Sequence, residues 1–421
     1  MLIKNELSNG TRRDFLRAGL FGVGVSTALP SFLQQASWAE TNRVLSGADP
    51  KHPERILVIL ELAGGNDGLN TFVPHASDDY YKARPTLGIR PNQTLKLNDQ
   101  FGLHPSCIGL QSLFEAGQLA VVHGCGYPNP NLSHFTAMEW WHTATPHGSD
   151  PYGWVGRFAD AYQPDPIENY IVNVSNKQSR AVTSSKHSPV VFKDPAKFGR
   201  VGSAAEQKVF QQFGKVYPTD NPSLRFVNQV SRTATAGAVS VRHACTEYRT
   251  MVEYGSDNEV TLDLKKVAAM IKADLPTRLF YLSMGGFDTH AAQAGAHQVL
   301  LIYLADALRG FMEDMERIGR ADDVAIMVFT EFGRRVAENA SKGTDHGTAT
   351  PMYIIGKKVK GGFYGTFPSL TDLDNGNLKM TTDFRSVYGT MLDQWMGFSQ
   401  TAEVLKGDFP TLDVVHEEGR V

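Results

Sequence analysis

Four places in the chain gather side chains that can hold a metal ion or attack an ester, and each follows a run of apolar residues. The first is Gly64-Gly65-Asn66-Asp67-Gly68, whose residue types suit a plain turn as well as a site. The second is Tyr127-Pro128-Asn129-Pro130-Asn131-Leu132-Ser133-His134-Phe135. Asn131 or Ser133 reads there as a helix N-cap, and a serine hydroxyl at a helix N-terminus is also placed for nucleophilic attack, because the helix dipole favours an anion. His134 beside it stays open as base, ligand or bystander. In the third, Met284-Gly285-Gly286-Phe287-Asp288-Thr289-His290, aspartate and histidine stand one residue apart and can converge on a divalent ion, the carboxylate giving oxygen and the imidazole nitrogen. His297, seven residues on, reads equally as packing.

The fourth place joins Thr330-Glu331-Phe332-Gly333-Arg334-Arg335 to Gly343-Thr344-Asp345-His346-Gly347. Arg334 and Arg335 suit bidentate capture of a substrate oxyanion, and equally the neutralisation of Glu331, Glu338 or Asp345. The combined donor set is carboxylate plus imidazole without thiolate, which fits Zn, Mn, Fe, Mg or Ca. Asp288, His290 and His346 offer one oxygen and two nitrogens, the set of a three-ligand catalytic site with an open position. Asp67 and Glu331 add only carboxylates, which would hold a second, harder or weaker ion, if any, so the expected number of ions is one or two.

These residues must be carried by something rigid. Ile56–Leu60, Leu119–Val122, Arg278–Leu282 and Val324–Phe329 are short unbroken apolar runs closed by turn residues, the pattern of strands buried on both faces. Between the last two, Ala292–Ile318 carries Val299, Leu300, Tyr303, Leu304, Leu308 and Phe311 at helical spacing. Strand, helix and strand imply a crossover and a parallel sheet, so the expected fold is α/β with a mainly parallel sheet sandwiched by helices. Further helices are expected over Ser106–Glu115, Leu132–His142, Thr261–Asp274 and Phe384–Met396. The stretch Pro146–Asp220, rich in Pro, Ser, Asn and Lys with short strand-like pieces at Tyr170–Val174 and Pro189–Phe192, reads as an insertion or cap rather than a separate domain. In such sheets ligands bind beyond the carboxyl ends of the strands, where all four clusters fall.

The 421 residues are 42% hydrophobic and 20% charged, too apolar for a disordered chain, and long enough for a large core. A formal charge of -3, without a long basic run past the first residues, argues against nucleic acid as a partner. Cys107, Cys125 and Cys245 stand far apart, which excludes the usual thiolate metal sites and allows at most one disulfide. At the N-terminus, Arg12-Arg13 precedes an apolar stretch interrupted by Gly19, Gly22, Gly24 and Pro30 and then Ser37-Trp38-Ala39. That order reads as a twin-arginine signal peptide over 1–39, cleaved after Ala39, with a linker over 40–54 and the main domain over 55–421. No membrane span is expected after cleavage, and the product is expected in the periplasm or outside the cell.

Leu62-Ala63-Gly64-Gly65-Asn66-Asp67-Gly68-Leu69-Asn70-Thr71, Phe101-Gly102-Leu103-His104-Pro105, Ser133-His134, Gly285 to His290, Thr330 to Arg334 and Gly343 to Gly347 together resemble the twin-arginine-exported family called domain of unknown function 1501. That family is similar to the alkaline phosphatase and sulfatase superfamily, and has no assigned reaction. The resemblance implies an alkaline phosphatase-like fold with Asp67, Asp288, His290, Glu331 and His346 as metal ligands and Ser133 as nucleophile. The superfamily usually has three residues between its first Asp and His, where Asp288 and His290 have one, and its Asp-His pair at the strand tip is replaced by Glu331-Phe332. The expected function is therefore a metal-dependent hydrolase of phosphate or sulfate esters, small or polymer-borne, with Arg334 holding the anion. The alternative is a non-catalytic exported protein that uses a degenerate phosphatase-like fold for binding.

Overall fold

The computed structural model describes residues 54–198 and 237–416, together with 221 and 224. The expected signal peptide and nearly all of the expected linker lie outside the described residues. The chain divides into two compact units, 1–46 with 194–242 and 47–193 with 243–421. Of the first, residues 194–198 form a turn and 237–242 are helical. The second unit carries the central sheet and all four residue clusters.

Its centre is a nine-stranded sheet. In chain order the strands are β1 (Ile56–Leu62), β2 (Leu119–Gly126), β3 (Ile171–Val174), β4 (Val190–Phe192), β5 (Leu279–Met284), β6 (Val324–Phe329), β7 (Thr350–Ile355), β8 (Gly362–Tyr364) and β9 (Thr382–Asp383). Across the sheet they run β8-β2-β7-β6-β1-β5-β3-β4, with β9 also beside β2. β1 is parallel to both neighbours, Leu57 facing Leu279 on one side and Ala325 on the other. Only β7 is reversed, antiparallel to β2 and β6.

The apolar runs form central strands because both faces are covered. Leu57 and Ile59 pack with Trp141 of α2 (His134–Thr143), Trp154 and Phe158 of α3 (Trp154–Tyr162) and Phe384 of α6 (Phe384–Thr390). Val58 and Leu60 point the other way by strand alternation and are equally buried. That second face carries α1 (Ile108–Glu115), α4 (Glu259–Lys272) and the long α5 (Gln293–Arg317), which pack on one another.

The fold class and central elements match the expectation, and the segment near 146–220 does not. Up to Phe192 it is part of the sheet rather than a cap. β3 pairs with β5, β4 with β3, and Trp154 of α3 stacks on Tyr388 with ring centroids 4.3 Å apart. The strand-like pieces expected at Tyr170–Val174 and Pro189–Phe192 are β3 and β4, but strands so short carry no sign of the sheet they join. Residues 199–220 lie outside the described ones. The three cysteines are free thiols, Cys107 and Cys125 both buried.

The reversed β7 explains how the clusters meet. Asp67, Asp288 and Glu331 follow the carboxyl ends of β1, β5 and β6, and His134 follows that of β2. His346 precedes β7, whose opposite direction puts its start at the same edge.

Candidate metal centre

His134 is the first residue of α2, with Ser133 at the N-cap position. Its Nδ1 lies 2.7 Å from Glu331 Oε1, and since a carboxylate only accepts, Nδ1 carries the proton. Nε2 is thereby left with its lone pair, buried without a hydrogen-bond partner, 3.5 Å from Asp288 Oδ2. Hydrogen bonding to Glu331 raises the His134 pKa against the opposing effect of burial.

His346 is oriented in the same sense. Its Nδ1 lies 2.9 Å from the Leu132 carbonyl, so that nitrogen donates and Nε2 faces inward, 3.1 Å from Asp288 Oδ1. His290 Nδ1 lies 3.4 Å from Asp345 Oδ1, and its Nε2 is 3.0 Å from Asp288 Oδ1 and 3.0 Å from His346 Nε2. Three imidazoles, each anchored through Nδ1 to an oxygen, turn Nε2 toward one carboxylate. Donor atoms of His134, Asp288 and His346 lie within 4.8 Å of one another, the one such group among the described residues. Nitrogen lone pairs converging on a carboxylate repel unless a cation lies among them, and outer oxygens on Nδ1 are the usual support of metal-bound histidine. The residues present thus fit a divalent ion.

Asp288 stays ionised. Partial burial works against the charge, but the Arg334 guanidinium and His346 prevail and hold its pKa down to about 2. Its side chain is 48% exposed and that of His134 32%, so solvent reaches one side of the cluster.

Arg334 departs from its expected role. Its side chain is fully buried, donating from Nε to the Gly65 carbonyl at 2.6 Å, from Nη1 to the Thr344 carbonyl at 2.8 Å, and from Nη2 to the Gly64 and Phe287 carbonyls and to Asp288 Oδ1 at 2.8 Å. This guanidinium ties three loops and Asp288 together and turns no face to a substrate anion. Glu331 is likewise enclosed. It accepts from the Gly64 and Gly65 N–H groups at 2.9 and 3.1 Å and holds His134, which makes it a support of the centre. The two glycines are required, for a Cβ on Gly64 (φ +119°) would lie 2.5 Å from the Asp288 nitrogen, and one on Gly65 (φ +74°) 2.6 Å from the Phe332 ring.

Asp67 is brought to the same edge but not to the cluster. Its Oδ2 meets Arg84 Nη1 at 2.6 Å and Gln293 Nε2 at 2.5 Å, with both charged groups buried. Burial disfavours the Asp67 charge, yet Arg84 keeps its pKa below the ordinary value. The guanidinium answers Oδ2, while Oδ1 is buried without a hydrogen-bond partner, and Asp67 lies outside the group of donors that converge. Ser133 lies exposed beside His134, its N–H bonded to Asn131 Oδ1 and its hydroxyl making no cap bond.

His134 is the donor that sequence spacing leaves undecided. Its partner Glu331 is 197 positions away, and the one local signal was a histidine beside a helix cap at a strand end. At the other end of α2, His142 Nε2 meets buried Glu61 Oε2 at 2.8 Å, so both ends of the helix are held by carboxylates of the sheet edge.

The class of protein is thus an α/β fold with a mostly parallel sheet between helices and a histidine-aspartate cluster at its carboxyl edge. Residues 54–408 match the family described as Protein of unknown function (DUF1501), and the chain belongs to that family. No curated protein matches the sequence. Similar solved structures include a protein in the alkaline phosphatase superfamily from Vibrio parahaemolyticus, at 10% identity and TM-score 0.39 over 90% of this chain and 78% of that one. The PsFucS1 sulfatase from Pseudoalteromonas sp. is similar at 9% identity and TM-score 0.38 over 95% and 78%. The lipoteichoic acid synthase LtaP from Listeria monocytogenes is similar at 10% identity and TM-score 0.32 over 82% and 73%.

Proposed function

We propose that this protein is an exported hydrolase of phosphate or sulfate esters built around one divalent ion. The observation that carries the reading is the orientation of His134, His290 and His346, each fixed through Nδ1 with Nε2 toward Asp288. Those four residues would hold the ion, which when bound polarises an ester oxygen and lowers the pKa of a hydroxyl or water.

The chain's own groups prepare that chemistry. Asp288 is ionised at any physiological pH, and Arg334 fixes its position. Glu331 fixes the tautomer of His134. Ser133, with a free hydroxyl at the N-terminus of a ten-residue helix, is the proposed nucleophile, since the helix end favours the developing anion. Export rests on the paired arginines of the N-terminal segment, and the expected location is the periplasm or the exterior. Among the described residues no helix is long and apolar enough to cross a membrane.

The test is elemental analysis of folded protein, followed by assay against a panel of phosphate and sulfate monoesters. Stoichiometric metal and ester cleavage that fall together in Asp288→Ala are expected. A folded protein that takes up no divalent ion at saturating concentration would sink the reading and leave a binding protein.

A further inference from the structure

Gln293 opens α5 and is wholly buried, so its amide must find partners inside the protein. Nε2 donates to Asp67 Oδ2 at 2.5 Å, while Oε1 accepts from the Thr289 hydroxyl at 3.1 Å and from the Thr344 hydroxyl at 2.6 Å. A carboxylate only accepts, so Asp67 fixes which end of the amide faces it and leaves the oxygen for both threonines.

Those two threonines adjoin the donors of the metal centre. Thr289 separates Asp288 from His290, and Thr344 directly precedes Asp345 and His346. The Thr344 carbonyl is already held by Arg334, which also holds Asp288. One amide oxygen therefore ties the loop after β5 to the loop ahead of β7, where the Nε2 atoms of His290 and His346 stand 3.0 Å apart. Backbone bonds follow the same seam. Thr344 N–H donates to the Thr289 carbonyl at 3.3 Å, Ala292 N–H to that of Ser341 at 2.9 Å and Gln293 N–H to that of Lys342 at 2.9 Å. Gly343 lets the loops touch, since a Cβ there would lie 2.2 Å from the His290 carbonyl carbon. Ala292 takes a left-handed conformation (φ +46°) to turn Gln293 onto the seam, a strain that the contacts across it must offset.

We propose that Gln293 is a positioning residue of the metal centre, whose amide clasps the two loops into one unit and so sets the spacing of Asp288, His290 and His346 before an ion arrives. Donors already in place bind more tightly because little order is left to impose. The effect on affinity rests on the metal-centre reading above, but the clasp itself needs no metal.

Hydrogen exchange of the metal-free protein reads the clasp, and titration with zinc and with manganese against a chelating dye reads its effect. In Gln293→Met the amides of 289–293 and 341–346 are expected to exchange at least about tenfold faster, both loops together, with metal affinity about tenfold lower at unchanged stoichiometry. Thr344→Val leaves Gln293 Oε1 the Thr289 hydroxyl and so strands no buried acceptor. It keeps the test open if Gln293→Met fails to fold, with both effects expected at about three- to tenfold, the loss of one hydrogen bond. Tyr254→Phe removes a bond to Asp314 near the far end of the same helix and is the control, expected to lower stability while leaving both loops and metal affinity unaltered. Unaltered exchange in both variants, or faster exchange in one loop alone, would overturn the clasp. Faster exchange in both loops with unaltered affinity would overturn the positioning role and leave the hydrolase reading standing. A wild-type protein that takes up neither zinc nor manganese, while both loops loosen in Gln293→Met, would support the clasp and remove the hydrolase reading.

Discussion

Glu331 and His134, 197 positions apart in sequence, are joined by a 2.7 Å hydrogen bond that sets which imidazole nitrogen is free. Loss of a ligand and loss of this support should therefore look different. Asp288→Ala, His346→Ala and His134→Ala are each expected to abolish stoichiometric metal. Glu331→Gln should keep one equivalent at saturating metal with affinity lowered about 10- to 100-fold, the usual cost of an outer partner. Metal content by mass spectrometry and competition with a chelating dye separate the two, and undiminished metal in His346→Ala would show the cluster to be structural.

The Asp67–Arg84 pair is enclosed, and removing one charge strands the other. Asp67→Asn and Arg84→Met are each expected to cost about 3–5 kcal/mol of stability, with the double variant costing less than the sum. Urea denaturation of the four proteins gives the coupling. Metal content should be unchanged in every variant that folds, and a loss of the bound equivalent in Asp67→Asn alone would return Asp67 to the ligand set.

Acid should destabilise the fold in two separate windows. Burial depresses His104, His123 and His297 to about 4, against 6.5 when unfolded. The unfolded chain then binds protons that the fold refuses, so stability falls as pH drops from 6.5 toward 4, by about 1.4 kcal/mol per pH unit for each such histidine. The stability that Asp288 contributes is present above 3.8 and is lost only as pH falls toward its folded value of about 2. His123 is packed among Phe101, Phe363 and Phe367, with the Phe363 ring stacked at 5.2 Å, so His123→Phe should make the upper limb shallower. An unchanged pH profile of unfolding free energy would contradict its neutral state.

Gly64→Ala presses a methyl group against the Asp288 backbone at positive φ, where a side chain is strained whatever the room. The expected cost is about 1–3 kcal/mol of stability together with a clear drop in metal affinity, since Asp288 must move. Thermal melts with and without added metal read both, and full metal affinity in a destabilised Gly64→Ala would mean that Asp288 tolerates the shift.

Replacing Arg12 and Arg13 by lysine together should leave the precursor in the cytoplasm. Fractionation checks this, and continued accumulation of the double variant outside the cytoplasm would remove the twin-arginine reading.

The parallel sheet was legible because β1, β5 and β6 are buried on both faces and so read as unbroken apolar runs. β3 and β4 were harder to place, since strands of four and three residues inside a polar stretch carry too little pattern. At the site, type and spacing after strands singled out Asp288, His290 and His346, which the structure brings together. Arg84 could not be tied to Asp67, nor Glu331 to His134, because both links cross between separate loops and depend on packing. Arg334 was misread for the same reason. An arginine at a strand end looks like an anion binder until the carbonyls of Gly64, Gly65, Phe287 and Thr344 are seen around it.

The reversed β7 bears on the order of events as the chain matures. His134 arrives from β2, Asp288 and His290 from β5, and His346 ahead of β7, with β7 lying between β2 and β6. No pair of consecutive elements builds more than half of the donor set, so a nascent chain lacks the full cluster until its distant parts meet. The pairings involved are long-range, such as Thr350 with Cys125, and long-range pairing forms slowly. For the proposed metal centre, ion capture would then be the closing step of folding, and the supply of metal that matters would be the one in the compartment where β7 docks.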